Sequence, residues 1–520
     1  MARRSVKRAP AKRGDLVLAL DEGTTGATAL VLDRAGRVQG RGYRELPQHY
    51  PQPGWVEHDA DDLTGATFAA ARTALAAAGL GTRVAIARRI AAIGITNQRE
   101  TTLVWDRRTG RPIHRAIVWQ CRRTAALCAA LRKAGHGPLV KRRTGLVLDP
   151  YFSGTKLTWL LRHVRGAAKR AASGELAFGT VDTWLLWNMT GGRVHATDPT
   201  NASRTLLYRS DRLDRLGFDD ALLDLFETPP ALLPEVRPSA GSFGETRGVP
   251  GLPDGIPISG IAGDQQAALF GQACLEPGMT KNTYGTGSFV LMHVGDTCPE
   301  PVEGLLTTVG WTLADGTRAY ALEGAVFVTG AAVQWLRDGL GIIERAEDVA
   351  ALAATVPDTE GCFVVPAFTG LGSPWWDPYA RGTIVGITRG TGRGHLARAV
   401  LEAISLQTRD VVSAMSEASG HPIAALKADG GAAANDLLLQ LQADHLQVPV
   451  SRPVIQETTA LGAAYLAGLA EGVWASPADI TANWQLDATF SPVAPREAAD
   501  ALLAAWSRAV TRSRGWATDR

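Results

Sequence analysis

A strand–turn–strand pattern with a threonine-bearing glycine turn occurs twice in this chain, and that repetition constrains the fold more than any other feature. The first copy reads LVLAL, then DEGTTGAT, then ALVLD, and the second reads KNTYGTGSFVLMHVG. An apolar run on each side of a glycine turn is typical of a β-hairpin. Because Thr24 and Thr286 lie about 260 residues apart, we predict an internally duplicated α/β protein with two halves of about 250 residues.

The segments between and after the hairpins alternate between strand and helix patterns. The strand candidates are IAAIGIT (90–96) and ISGIAG (258–263). The helix candidates are 63–79, 123–135, 397–419 and 460–473. This alternation predicts sheets covered by helices. The segment 228–257 contains seven prolines and leads towards the second half.

Length and composition support a two-domain globular protein. At 520 residues the chain is too long for a single core, and two large domains are expected. Apolar residues make up 45% and charged residues 20%, which excludes collagen, coiled coil and low-complexity disorder. No run of about 18 apolar residues occurs, so we expect no membrane insertion.

The positive charge of the chain is concentrated at its start. Six of the first fourteen residues are Lys or Arg, whereas the whole chain has a formal net charge of +3, which leaves −3 for the rest. We therefore predict a disordered basic tail over residues 1–14 and no nucleic-acid partner for the globular part.

Cysteine usage indicates a reducing compartment. The five cysteines are widely spaced, and no CxxC pair occurs. Neither a disulfide framework nor a zinc site fits this pattern. Since no apolar signal segment opens the chain, we predict a cytoplasmic protein.

The glycine turns are the candidate phosphate sites. No GxxxxGK[ST] motif and no GxGxxG after a strand occur, which disfavours a P-loop enzyme and a Rossmann dehydrogenase. The DEGTTG turn offers backbone N–H groups and hydroxyls to phosphate, and Asp21 could hold Mg²⁺ through water. By itself this turn could equally be an ordinary hairpin. With YGTGS and DGGAAAND (429–436) it fits one nucleotide between two domains, with Asn435 near the base or ribose.

A second group of residues is suited to a small polyol. Arg, Glu, Asp and Gln side chains can hydrogen-bond several hydroxyls, while aromatic rings pack against a carbon backbone. We call these residues the polyol set: Arg99, Glu100, Trp119, Tyr151, Asp264, Gln265 and Phe289. Taken singly, each has a plainer interpretation, such as a surface ion pair, a core aromatic or a helix N-cap. Asp264 is the candidate general base, because it follows a strand and could accept a hydroxyl proton.

The motifs that contain these residues resemble the FGGY family of carbohydrate kinases from about residue 16 to about 475. The resemblance rests on GITNQRETT, AIVWQCRRTA, TGLVLDPYFSGTK, IPISGIAGDQQAALFGQ, KNTYGTG and VPAFTGLGSPWWDPYARG. PGWVEHD together with NQRETT is similar to the members that act on glycerol. The resemblance implies an α/β fold with two actin-like (ribonuclease H-like) ATPase domains and an interdomain cleft where ATP and glycerol meet. It implies domains at 15–271 and 272–475, with a C-terminal helical extension at 476–520.

The resemblance also implies roles for individual residues. The polyol set would bind glycerol, Asp264 would be the general base, and Asp21 would hold Mg²⁺. The implied nucleotide-binding residues are Thr24, Thr25, Gly26, Thr286, Gly330, Gln334, Gly431 and Asn435. The products would be ADP and sn-glycerol 3-phosphate, which feeds glycerol catabolism and glycerolipid synthesis. A homo-oligomer, either a dimer or a tetramer, is expected.

The chain departs from the family pattern in the first turn. The usual DQGTTSSR reads DEGTTGAT here, with Glu22, Gly26 and Thr28 in place of Gln, Ser and Arg. Thr28 cannot supply the cationic phosphate contact of the usual Arg. The segment GVPGLPDGIP (248–257), where some relatives bind fructose 1,6-bisphosphate, has no Lys or Arg. Two alternatives stay open: a kinase for another small polyol or ketose, and a catalytically weak polyol sensor.

Overall fold

The computed structural model describes residues 14–213 and 216–517, so the predicted basic tail lies outside the described residues except for Gly14. Within these ranges the chain forms twenty β-strands and seventeen α-helices. The strands are β1 Leu16–Glu22, β2 Gly26–Leu32, β3 Val38–Glu45, β4 Glu57–His58, β5 Ile90–Asn97, β6 Leu103–Asp106, β7 Ala116–Ile117, β8 Leu176–Gly179, β9 Ala196–Thr197, β10 Glu235–Val236, β11 Ile258–Gly263, β12 Thr280–Tyr284, β13 Ser288–His293, β14 Leu306–Thr312, β15 Arg318–Val326, β16 Phe363–Val365, β17 Thr383–Val385, β18 Leu426–Asp429, β19 Val450–Pro453 and β20 Leu486–Phe490.

The helices cover both faces of two large sheets. They are α1 Ala60–Ala77, α2 Arg83–Arg89, α3 Ala125–Lys133, α4 Gly137–Thr144, α5 Ser153–His163, α6 Ala167–Ala172, α7 Val181–Met189, α8 Pro199–Ala202, α9 Asp220–Leu225, α10 Asp264–Gly271, α11 Gly330–Gln334, α12 Asp348–Ala353, α13 Arg393–Ser419, α14 Asp436–Leu446, α15 Thr458–Ala470, α16 Pro477–Asn483 and α17 Arg496–Ser513. No helix of the described residues is long and apolar enough to cross a bilayer.

The first predicted hairpin is β1–β2, and it lies at the centre of a five-stranded sheet of order β11-β5-β1-β2-β3. The strands β1, β5 and β11 run parallel, with Asp21 beside Thr96 and Gly263 beside Asn97. The carboxyl ends of these three strands therefore meet at one edge of the sheet. In open α/β sheets this is the edge where ligands bind.

The second hairpin, β12–β13, repeats the arrangement within a sheet of order β14-β15-β13-β12-β18-β19-β20. Here β12, β18 and β19 run parallel, as β1, β5 and β11 do, while β15 pairs antiparallel with β13 as β3 pairs with β2. The predicted internal duplication is confirmed by this matching strand order.

Helix α15 follows the second sheet in sequence but packs on the first. Its alanines and Leu461 share one core with β1, β2 and α10. A Cβ on Gly94 of β5 would lie 2.1 Å from the Ala463 carbonyl oxygen, so glycine is required for the helix to approach the sheet this closely. This packing brings Glu457, which precedes α15, close to the end of β1.

Three segments differ from the sequence-based expectation. Helix α1 begins at Ala60 rather than 63, because the Asp59 side chain caps it by accepting from the Asp61 N–H. The proline-rich segment 228–257 leads into β11 of the first sheet, not directly into the second half. The C-terminal segment contains two helices, and it also contains β20, which pairs antiparallel with β19 at the edge of the second sheet.

Candidate active site

Three carboxylates stand where the parallel strands of the first sheet end. Asp21 is the second-last residue of β1, Glu100 follows β5, and Asp264 begins α10 directly after β11. The Asp264 carboxylate accepts the Gln265 backbone N–H at 2.7 Å, and its side chain is 28% exposed. The predicted base is therefore held by its own helix and remains partly accessible.

Arg99 is the centre of a buried network of charges. Its Nε lies 3.0 Å from the Asp264 carboxylate. Both terminal nitrogens donate to Glu323 on β15, at 2.5 and 3.2 Å, and Nη2 also lies 3.4 Å from the Tyr151 hydroxyl. The side chain of Arg99 is 2% exposed. Charge-assisted bonds of this kind fix the plane of a guanidinium group.

Glu100 is held by a second arginine. The Arg204 Nε donates to Glu100 at 2.6 Å, and the Arg204 Nη2 donates to Glu323 at 2.9 Å. Glu100 has a φ of 62°, in the left-handed region that non-glycine residues rarely adopt. Hydroxyls of Thr102 and Ser153 each donate to its carbonyl oxygen at 3.0 Å and stabilise this conformation.

Three rings of the polyol set lie side by side across the two sheets. The ring centroids of Trp119 and Tyr151 are 5.5 Å apart, and those of Trp119 and Phe289 are 6.4 Å apart. Phe289 belongs to β13 of the second sheet, and the Arg99 guanidinium lies 5.8 Å from its ring centroid. The Trp119 Nε1 donates to the Thr24 hydroxyl at 2.9 Å, which ties this aromatic wall to the first glycine turn.

Gln265 is already bound through its side-chain oxygen. Lys281 of β12 donates to that oxygen at 2.5 Å and to the Thr283 hydroxyl at 2.8 Å. Burial lowers the pKa of Lys281 to about 8, although the Asp429 and Asp264 carboxylates act in the opposite direction. Lys281 thus fixes the side chain of Gln265 through its oxygen.

Asp21 lies in a negative environment. Burial, followed by the carboxylates of Asp264 and Glu457, raises the pKa of Asp21 to about 8. A cation at this position would offset that repulsion. Among the described residues no group of three or more His, Cys, Asp or Glu side chains could hold a metal ion. Mg²⁺ differs from metals that need such a group, because it takes one or two carboxylates and completes its shell with water and phosphate oxygens.

The altered residues of the first turn lie in different surroundings. Glu22 points into the core, where it accepts a hydrogen bond from the Thr67 hydroxyl, and burial raises its pKa well above the usual range. A protonated Glu can replace a Gln here, since both are neutral.

A Cβ on Gly26 would lie 2.6 Å from the Tyr43 hydroxyl oxygen. Thr28 is directly opposite Asp21 in the β1–β2 pair, so both side chains share one face.

The nucleotide candidates of the second sheet surround two adjacent strand ends. Because β12 and β18 are parallel, the turn containing Thr286 and the Gly431 turn lie at the same edge. The Gly330 N–H donates to the Gly285 carbonyl at 3.0 Å, which places the start of α11 against the YGTGS turn. Four of the candidate nucleotide-binding residues are exposed, namely Thr25, Thr286, Gln334 and Gly431. Asn435 caps α14 by accepting the Leu438 N–H at 3.1 Å, and its amide nitrogen takes no part in this cap.

Three functional candidates escaped the sequence analysis: Arg204, Lys281 and Glu323. All three are fully buried. For Glu323 a signal exists, because it is the only acid within the otherwise apolar stretch AYALEGAV of β15. A charge buried in such a strand requires a partner and so indicates a polar site.

A separate cavity of about 770 Å³ lies between α1, α2 and the loop 248–254. It is lined by Arg72 and Arg83, two cations that the composition of the loop does not reveal. The Arg83 Nε donates to the Leu252 carbonyl at 3.2 Å, so this arginine holds the loop in place. The cavity shares no residue with the polyol set.

Comparisons with known proteins identify the family to which the chain is similar. Residues 16–271 match the N-terminal domain, and residues 280–471 the C-terminal domain, of the FGGY family of carbohydrate kinases. A glycerol kinase of Bordetella parapertussis is 57% identical over 509 residues, covering 96% of this chain and 98% of the relative. One from Aromatoleum aromaticum is 57% identical over 500 residues, covering 96% and 99%. The crystal structure of Plasmodium falciparum glycerol kinase with ADP is 31% identical, covers 96% of this chain and 98% of that one, and has a TM-score of 0.88.

Proposed function

Because the chain belongs to the FGGY family of carbohydrate kinases, we propose that it transfers the γ-phosphoryl group of ATP to glycerol, giving sn-glycerol 3-phosphate and ADP. The observation that carries the proposal is the position of Asp264. It is a part-exposed carboxylate that directly follows a strand and lies 3.0 Å from Arg99, which also contacts Tyr151 and the Phe289 ring of the polyol set.

Glycerol would be bound through its hydroxyls and its carbon chain separately. Arg99, Glu100 and Asp264 offer donors and acceptors from one side, with the Tyr151 hydroxyl and the Gln265 amide beside them. Trp119 and Phe289 cover the carbons. A ligand that lacks a hydroxyl would leave buried polar groups unpaired, and this is the physical basis of selectivity for a triol.

Asp264 would act as the general base. One carboxylate oxygen accepts the Gln265 N–H, at 2.7 Å, and faces Arg99, at 3.0 Å, so the group is oriented before substrate arrives. The other oxygen can accept the proton of the attacking hydroxyl. Phosphoryl transfer depends mostly on positioning and charge stabilisation, so one oriented base is sufficient for the proton.

The nucleotide would bind between the sheets. The turn that contains Thr24, Thr25 and Gly26 and the turn that contains Thr286 offer backbone N–H groups and hydroxyls to its phosphates. The rest of the nucleotide would contact Gly330, Gln334, Gly431 and Asn435. Asp21 would hold Mg²⁺, through water where needed. When bound, the ion supplies charge neutralisation on the phosphate oxygens.

Two further properties belong to the same proposal. A cytoplasmic location is supported by five cysteines that are all free, four of them buried. The expected homo-oligomer stays a prediction, which the mass in solution measured by light scattering would test.

The test is a coupled assay of ADP release with Mg²⁺-ATP and, in parallel, glycerol, erythritol, xylulose or no acceptor. We expect glycerol to give the highest kcat/KM by a wide margin. A higher kcat/KM with xylulose or erythritol would indicate a kinase for another small polyol or ketose. Equal ADP release with and without acceptors would contradict a kinase role and favour a catalytically weak sensor.

A further inference from the structure

We propose that Glu323 is a positioning residue for phosphoryl transfer, and that through it the second sheet holds Arg99, Glu100 and the base Asp264 in their working geometry. Glu323 lies on β15, whereas the residues that it binds follow β5 and α8. The inference rests on the proposed function, because it concerns the same site.

The first step is the contact with Arg99. The two terminal nitrogens of Arg99 donate to the two oxygens of Glu323, at 2.5 and 3.2 Å. A two-point contact of this kind fixes both the direction and the plane of the guanidinium group. Nε, on the remaining edge of the guanidinium group, then lies 3.0 Å from the Asp264 carboxylate.

Side chains accept four hydrogen bonds from the two terminal nitrogens of Arg99, and Nε forms an ion-pair contact with Asp264. A guanidinium group has five N–H donors. Nε faces Asp264, Nη1 donates to Gln266 and Glu323, and Nη2 donates to Tyr151 and Glu323. Arg99 therefore links three groups of the first sheet, and Glu323 is the member of its shell that comes from the second sheet. Movement of Glu323 would turn the guanidinium and with it the groups that it orients.

The second step is the contact with Arg204. Glu323 Oε1 also accepts from Arg204 at 2.9 Å, and Arg204 donates to Glu100 at 2.6 Å. One carboxylate of the second sheet is thus shared by the two arginines that hold Glu100 and Asp264. The network around Glu100 and Asp264 therefore needs a carboxylate from the second sheet.

The charge state supports this role. All three side chains are at most 2% exposed. Burial acts to raise the pKa of Glu323, but Arg204 and Arg99 outweigh it and the pKa is lowered, so Glu323 is an anion. Two buried guanidinium groups would lose a shared counter-ion without it. Variants that remove the charge of Glu323 are therefore expected to lose stability. The test must separate this effect from a loss of the positioning of Arg99 and Arg204.

The experiment compares Glu323→Gln with Glu402→Gln in the full chain. Glu402 is a buried glutamate on α13 whose ion-pair partner is Arg398, at 3.0 Å, and neither residue belongs to the polyol set. For Glu323→Gln we expect kcat to fall about 10- to 100-fold with a raised KM for glycerol, because a displacement of about 1 Å can cost that much. The KM for ATP should stay within about twofold. Glu402→Gln should retain the wild-type kcat even where its melting temperature falls.

The outcomes separate a positioning role of Glu323 from a merely stabilising one. A folded Glu323→Gln enzyme with wild-type kcat and glycerol KM would overturn the proposal. If this variant does not fold, Glu323→Asp carries the test, since it retains the charge but withdraws the carboxylate by one methylene. Positioning predicts a fall in its kcat, whereas a merely stabilising charge predicts a wild-type kcat. Failure of the wild-type enzyme to phosphorylate glycerol would refute the proposed function instead, so the two failures are distinguishable.

Discussion

Replacement of Asp264 by Asn tests the chemical step most directly. The Asn side chain has the same shape, and its oxygen can still accept the Gln265 N–H and face Arg99, at the 2.7 and 3.0 Å that the wild-type oxygen has. What changes is the second oxygen, which becomes an NH₂ group and cannot take a proton. Substrate binding should therefore survive while proton transfer is lost.

The magnitude follows from the role. General-base catalysis contributes about 10²- to 10⁴-fold, which corresponds to about 2.7–5.5 kcal/mol in the activation barrier. We expect kcat to fall by at least about 10²-fold, with the glycerol dissociation constant changed by less than about tenfold. Arg99 retains its two bonds to Glu323 in the variant, so the guanidinium group should stay in place.

The assay is steady-state ADP release together with calorimetric titration of glycerol into the variant. Asp219→Asn is the matched control, because Asp219 caps α9 and pairs with Arg143 outside the polyol set, and Asn is also a good N-cap. The control should retain the wild-type kcat. If Asp264→Asn also keeps more than about a tenth of the wild-type kcat, general-base catalysis by Asp264 is refuted.

Three further predictions use other parts of the molecule. Thr28→Arg should tighten ATP binding by ~1.5–3 kcal/mol, because Thr28 faces the same side as Asp21 and a charge-assisted phosphate contact is worth that much; an unchanged KM and kcat would place position 28 off the phosphate path. Fructose 1,6-bisphosphate at millimolar concentration should not inhibit, because the loop 248–257 has no Lys or Arg, the neighbouring Arg83 is bound to the Leu252 carbonyl, and Arg72 alone is too little charge for two phosphate groups; half-maximal inhibition below a millimolar at saturating glycerol would contradict this. Burial lowers the pKa of His445 to about 4, so the folded state keeps it neutral, and its contribution to stability is complete above pH 6.5 and is lost as the pH falls towards 4. In urea denaturation, His445→Asn should therefore lose about 2 kcal/mol less than the wild type between pH 7 and pH 5, and an equal loss in both proteins would refute the assignment.

The sequence by itself determined the main local elements, the family and the candidate base. The two glycine hairpins and the strands 90–96 and 258–263 are confirmed, because apolar runs bounded by glycine turns depend on neighbouring residues alone. The family resemblance is confirmed by the matches to both FGGY domains. Asp264 could be singled out as the candidate base because it directly follows a strand, at the edge where parallel sheets bind ligands.

Only the tertiary structure decided how those residues are held. Arg99 and Glu323 are 224 residues apart, and Arg204 and Glu323 are 119 apart, so no local pattern relates them. The strand order of the two sheets and the contact between them bring these side chains together, where each is at most 2% exposed. A buried charge is stable only beside a partner of opposite sign, and the identity of that partner depends on which distant segments the fold places in contact.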